Sequence, residues 1–153
     1  MTISHRPASP SDRPFIIDSW VSSYRTSHSA GMISMDSFHR VMWPEVERVL
    51  DLPATVTVVA FETSAPADSP NLYGFICADF VDATPLVHFV YTKAAYRRGG
   101  IAAGLMKAVN IDPRAPFRFT CKTAALAELL RHRKLPCAKH DPLTVRYSNR
   151  RTA

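Results

Sequence analysis

Glycine and cysteine are both scarce in this chain: its 153 residues include five glycines and three cysteines. Cys77, Cys121 and Cys137 are odd in number, far apart and without a C-x-x-C pair, which excludes a disulfide framework and fits reduced thiols. The six histidines form no H-E-x-x-H and no Cys/His cluster of zinc spacing, so nothing in the pattern asks for a metal. No apolar run approaches the roughly 20 residues of a membrane span. The opening MTISHRPASPSDRPF lacks the apolar core of a secretory signal. The expectation is a cytoplasmic protein with no membrane partner. Internal repeats and low-complexity segments are absent too.

What is present is an ordinary globular composition, 46% hydrophobic and 21% charged. It suits a single domain over residues 1–153 with one sizeable core. The net charge is +6, which favours anionic partners without saying which. Much of it sits late, in RHRK (131–134) and NRR (149–151). No aromatic residues interleave with these charges as stacking platforms would. They read as a solvated helix end and a basic C-terminal tail over 146–153.

Element signals follow one another in a clear order. ISHRPAS (3–9) reads as a first strand. Ser11-Asp12-Arg13-Pro14 reads as a helix start with a cap and an early proline. Phe15, Ile16, Trp20, Val21 and Tyr24 then recur at helical spacing, and a polar patch at 25–31 ends the helix. Asp36-Ser37 is placed to cap a second helical region, which Pro44 interrupts or restarts and Pro53 closes. Trp20, Phe38 and Trp43 read as core residues. ATVTVVAF (54–61), LYGFICADF (72–80) and LVHFVYTK (86–93) read as three strands joined by turns at 63–71 and 81–85. From Gly100 the period changes to that of a helix. PFRFTCK (116–122) is another strand and TAALAELLRHR (123–133) a helix capped by Thr123. PCAKH (136–140) and LTVRYS (143–148) straddle Asp141-Pro142 as a final hairpin. The order predicts an α/β (α+β) domain with a mixed central sheet.

Two of the five glycines stand together in YRRGGIAAG (96–104), directly behind two arginines. The context is strand, short loop, helix start. A helix N-terminus offers unpaired N–H groups and the positive end of the macrodipole, a ready anion site. Gly99 and Gly100 let an anion approach the backbone. Arg97 and Arg98 add charge, and Ala102, Ala103 and Gly104 keep the first turn slim. A diphosphate fits this chemistry. There is no G-x-x-x-x-G-K-[ST] and no G-x-G-x-x-G, so neither the P-loop nor the dinucleotide fingerprint applies.

Arg97-Arg98-Gly99-Gly100-Ile101-Ala102 resembles the [QR]-x-x-G-x-[GA] acyl-CoA loop of the GCN5-related N-acetyltransferases. The preceding strand and the element order resemble that family over nearly the whole chain. The resemblance implies a mixed, splayed sheet flanked by helices on both faces, with acetyl-CoA in the gap between the fourth and fifth strands. It implies a diphosphate on the N–H groups of residues 98–102, including Ile101, and pantetheine along the backbone of Val90, Tyr91 and Thr92. It implies that a strand N–H polarises the acetyl carbonyl while a primary amine attacks directly in a ternary complex. The acceptor is a small molecule, a protein or an RNA, and homodimers are frequent in the family.

Some family positions are substituted. Leu129-Leu130 stand where a tyrosine often serves as the acid for the leaving thiolate, Lys134-Leu135 replace a Gly-Phe, and Ala94 replaces a proline before the loop. Tyr147 or Tyr91 is the alternative acid. Candidate bases are His88, whose imidazole suits cytosolic pH, and Asp79 or Asp82 at the neighbouring turn. Glu45 and Glu47 lie in the second helical region. By alternation Leu86, His88, Val90 and Thr92 share one strand face, and Val87, Phe89 and Tyr91 the other. Cys121 reads as a buried small hydrophobe. Two other readings stand beside the transferase: a CoA-binding module without chemistry, and a basic nucleic-acid-binding protein.

Overall fold

The computed structural model describes residues 2–25, 32–66, 71–132 and 134–142. Six strands form one sheet in sequence order: β1 (Ile3–Pro7), β2 (Val56–Glu62), β3 (Leu72–Val81), β4 (Thr84–Thr92), β5 (Phe117–Phe119) and β6 (Ala138–His140). The first four pair antiparallel, whereas β4–β5 and β5–β6 pair parallel. The helices are α1 (Arg13–Arg25), α2 (Met35–Leu50), α3 (Ile101–Ala108) and α4 (Ala124–Arg131). The mixed α/β architecture expected from the element order is present. Among the described residues no helix is long and apolar enough to cross a membrane.

The sheet is buried on both faces. Ile16, Ile17, Trp20 and Val21 of α1 and Phe38, Val46 and Val49 of α2 pack on Val59, Phe75, Cys77 and Phe89. On the opposite face, Ile101, Leu105 and Met106 of α3 pack on Val58, Ile76, Ala78 and Val87. A strand covered on both sides must be apolar without alternation, which is why β3 reads as a continuous run, LYGFICA. Trp20 stacks on Phe89 with ring centroids 4.8 Å apart. Trp20 and Phe38 are core, as expected, and Trp43 is half-buried against it.

Several boundaries differ from the sequence reading. β1 stops at Pro7, because a 3-10 turn over Pro10–Asp12 precedes α1. Asp12 is buried there and accepts from Ser9 N, Ser9 Oγ and both terminal nitrogens of Arg6, at 2.6 and 2.9 Å for the latter. Burial opposes its charge, but Arg6 and Ser9 outweigh that and hold the carboxyl below its usual range. Ser34, not Asp36-Ser37, caps α2, with its hydroxyl oxygen accepting from Ser37 N. Pro44 lies inside α2 without ending it. Both Pro44 and Arg40, whose carbonyl would have received the missing N–H, lie on the exposed face of the helix. The β3–β4 turn is only Asp82-Ala83, both at positive φ (51° and 63°), the tight two-residue hairpin geometry. β6 lies parallel beside β5. The second half of the expected final hairpin, 143–148, falls outside the described residues, as does the basic tail.

Candidate functional site

The site is built where the sheet changes direction. β4 and β5 pair at Leu86↔Arg118 and Val87↔Phe119. Beyond that point Thr120 N donates to Val87 O at 3.0 Å, and among the described residues no further β5 register follows. β4 continues to Thr92, so its last residues run along an open edge. A cavity of about 280 Å³ opens there, lined by β4 residues 87–90, Ala102, Ala103 and Met106 of α3, Phe119 and Cys121 at the end of β5, and Leu126 and Leu129 of α4. Its walls are overwhelmingly apolar, as a ligand arm of methylenes requires.

A bulge aims the edge. The β3–β4 register steps from Cys77↔Phe89 to Ala78↔Val87, so His88 is the extra residue. On the far side of the bulge Lys93 N donates to Tyr73 O at 2.8 Å. Counting back by alternation, Tyr91 and Phe89 turn their main-chain groups toward β3, and Val90 and Thr92 turn theirs into the gap. Of the three residues expected along pantetheine, Tyr91 therefore has its backbone committed to the ladder, whereas Val90 and Thr92 face the opening. The bulge also breaks the expected alternation of side chains. Val87 and Val90 both join the α3 face, while Phe89 and Tyr91 face α1 and α2.

The loop opposite this edge has the shape an anion requires. Gly100 is the N-cap of α3 at φ 78°, a conformation L side chains rarely adopt, and a Cβ there would meet nothing within 4 Å. The first helical bond is Gly104 N to Gly100 O at 2.9 Å. The N–H groups of Ile101, Ala102 and Ala103 thus precede the helical ladder and have no side-chain cap. Arg98 is exposed, with φ at 69°. Arg97 folds back, its Nε donating to Thr92 O at 3.2 Å, so it braces the end of β4 instead of standing free. Gly104 has a different purpose from keeping the first turn slim. A Cβ on it would press on the ring of His5 at 3.0 Å, so it lets β1 approach α3. These residues fit a diphosphate by geometry: an open αL glycine, three uncapped N–H groups and an exposed guanidinium.

Two of the catalytic candidates, His88 and Asp79, are buried beside the gap. His88 is 2% exposed, and among the described residues neither ring nitrogen has a hydrogen-bond partner. Burial pushes its pKa down to about 4; Asp79 opposes the shift and Arg48 adds to it. The ring is therefore neutral at pH 7 but a much weaker base than an unperturbed imidazole. Asp79 is 6% exposed, and its carboxylate accepts from Phe80 N. Asp82 is an exposed turn residue. Glu45 pairs with Arg48 across one turn of α2. Tyr147 lies outside the described residues. Cys121 is half-buried at the cavity wall, and burial raises its thiol pKa. Leu129 lines the cavity near the position where a tyrosine was sought. Met106, Phe119 and Thr120 were not read as site residues from the sequence. They carry no chemical signal of their own, and only the strand divergence gathers them. Among the described residues, no three His, Cys, Asp or Glu side chains form a metal-ligating group.

No family model matches the sequence, and no curated protein does. Solved structures do match. The chain is similar to PaiA N-acetyltransferase from Thermoplasma acidophilum in complex with coenzyme A, at 21% identity over 71% of this chain and 70% of that one, TM-score 0.50. It is similar to a histone acetyltransferase HPA2-related acetyltransferase from Corynebacterium glutamicum, at 16% identity over 71% and 70%, TM-score 0.54. It is also similar to AAC(6')-Iy in complex with a CoA bisubstrate analogue, at 11% identity over 88% and 90%, TM-score 0.51. At these identities the likeness concerns the fold. The chain has the fold of the GCN5-related N-acetyltransferases.

Proposed function

We propose that the protein is an acyl-CoA-dependent N-acyltransferase that moves acetyl from acetyl-CoA to a primary amine. The observation that carries this reading is the pairing of two backbone devices across one apolar cavity. The freed β4 edge offers Val90 and Thr92, and the uncapped α3 N-terminus offers Ile101, Ala102 and Ala103. The first suits the amides of a pantetheine arm and the second a diphosphate. Bound acetyl-CoA supplies the thioester carbonyl. The Val90 N–H, facing the gap, is the donor positioned to polarise it. Rate then comes largely from holding the amine beside that carbonyl. Neutral His88 accepts a hydrogen bond from the incoming amine and orients its lone pair, with Asp79 as the nearest buried carboxylate.

One substitution favours a second reading. Leu129 stands at the cavity where an acid for the departing thiolate was expected. A thiolate is a good enough leaving group at neutral pH to depart without one, but a CoA-binding module without turnover shares the same backbone site. The basic helix end gives the nucleic-acid reading little support: Arg131 and His132 both pair with Glu128.

The test is thermal unfolding with acetyl-CoA, with ATP and NAD as controls, followed by an amine screen for thiol release. At about 100 times its dissociation constant a ligand adds about 2.7 kcal/mol, a shift on the order of 5–10 °C for a domain of this size. A shift with acetyl-CoA alone and thiol release with an amine supports the transferase. A shift without release selects the silent binder, and no shift removes both.

A further inference from the structure

We infer that Thr120 is a positioning residue: its hydroxyl holds the His88 bulge and so aims the Val90 N–H into the gap. The inference deepens the transferase reading and rests on it for its kinetic arm. In a regular strand, successive carbonyls point to opposite edges. Here Val87 O and His88 O both point toward β5. Each needs a donor at the rim of an apolar cavity, because an unmet buried carbonyl is costly. One residue supplies both donors. Thr120 N donates to Val87 O at 3.0 Å, and Thr120 Oγ1 donates to His88 O at 3.3 Å. The competing acceptor for the hydroxyl, Cys121 Sγ, is farther off at 3.8 Å and weaker by nature.

Thr120 is itself fixed. It is 9% exposed, and its carbonyl lies 3.3 Å from His140 Nε2. The His140 ring stacks on Phe119 with centroids 5.1 Å apart, and Asp141 N donates to Phe119 O at 2.9 Å. β6 thus holds the end of β5, and β5 holds the bulge. Among neutral side chains of this size, only threonine and serine add an O–H donor to the main-chain N–H, and the β-branch restricts the hydroxyl's rotamer. Without the hydroxyl, His88 O has no donor and the extra residue can be absorbed elsewhere in β4. A one-residue slip exchanges the edges that its groups face. Val90 N–H would then turn toward β3 and leave the thioester.

The experiment compares Thr120→Val, an isosteric loss of the hydroxyl, with Thr120→Ser, which keeps it. The readouts are kcat and KM for acetyl-CoA, and the amide shift and hydrogen-exchange rate of Val90 by NMR without ligand. We expect Thr120→Val to lose kcat on the order of 10- to 100-fold, with the KM for acetyl-CoA rising by a smaller factor, because the pantetheine edge is disturbed while the α3 loop still holds the diphosphate. We expect Thr120→Ser to restore most of that kcat, and the Val90 amide to move in the valine variant but not in the serine one. If Thr120→Val does not fold, Thr120→Ala takes its place. Equal turnover in all variants, or a serine variant as impaired as the valine one, overturns the assignment. A wild type that neither binds nor turns over acetyl-CoA removes the transferase reading. The Val90 amide still decides the positioning role, because an unmoved amide in Thr120→Val overturns it without any ligand.

Discussion

At the scale of single residues, His88 sits in an environment at odds with its chemistry. A basic side chain has been placed 2% exposed with no hydrogen-bond partner among the described residues. With a folded pKa of about 4 against 6.5 for the free group, the unfolded chain takes up a proton that the folded chain refuses. Stability from this residue is therefore complete above about pH 6.5. It declines as the pH falls toward 4, by about 3 kcal/mol in all. Urea unfolding at pH 7 and at pH 4.5 should show that loss, and His88→Gln should flatten the profile across the same window. A profile unchanged by the substitution would mean that other groups govern it. The sequence placed His88 on the right strand, but it could not supply the burial, which comes from α1, α2 and β3 converging on that strand.

At the scale of elements, α4 differs from the other helices. None of its eight residues is buried; Leu126 and Leu129 line the cavity without being enclosed, and Leu130 is only partly buried against the α3-face core. Little tertiary packing holds it, so its own end-capping matters more than usual. Thr123 Oγ1 accepts from Leu126 N at 3.2 Å, the cap expected from sequence. Thr123→Ala should cost about 1 kcal/mol, expressed locally. Hydrogen exchange should accelerate in the amides of α4 while those of β3 stay protected. Uniform acceleration across the chain would contradict a local role. Capping was legible from sequence here because a threonine meets a strong helix former directly. At α2 the same reasoning named Asp36-Ser37 whereas Ser34 is the cap, since several adjacent residues are chemically able to cap and only the chain path selects among them.

At the scale of the whole molecule, two cores share one sheet. Phe75 and Cys77 contribute to the first, and Ile76 and Ala78, their neighbours on the same strand, to the second. Damage to one face is thereby transmitted to the other, and unfolding should be a single transition. Trp20→Ala removes a ring stacked at 4.8 Å on Phe89. It should cost about 4 kcal/mol, lowering Tm by roughly 10 °C for this chain length. Exchange protection should fall in α3 as much as in α1, although α3 lies on the opposite face. Loss confined to α1 and α2 would show that the two cores unfold separately.

The sequence by itself determined the element order, the apolar run of β3 and the glycine-rich entry to α3. Those properties are local: hydrophobic period, side-chain bulk and the backbone freedom of Gly100 act within a few residues. Tertiary structure alone decided the rest. A bulge at His88 is invisible in LVHFVYT, because any residue of that run is able to be the extra one. Its place follows from which carbonyls find donors, and those donors come from Thr120, a strand away in space and 32 residues away in sequence. The same long-range pairing turned Tyr91 to β3 and Val90 to the gap, since an edge is defined by the neighbour a strand has and the neighbour it lacks.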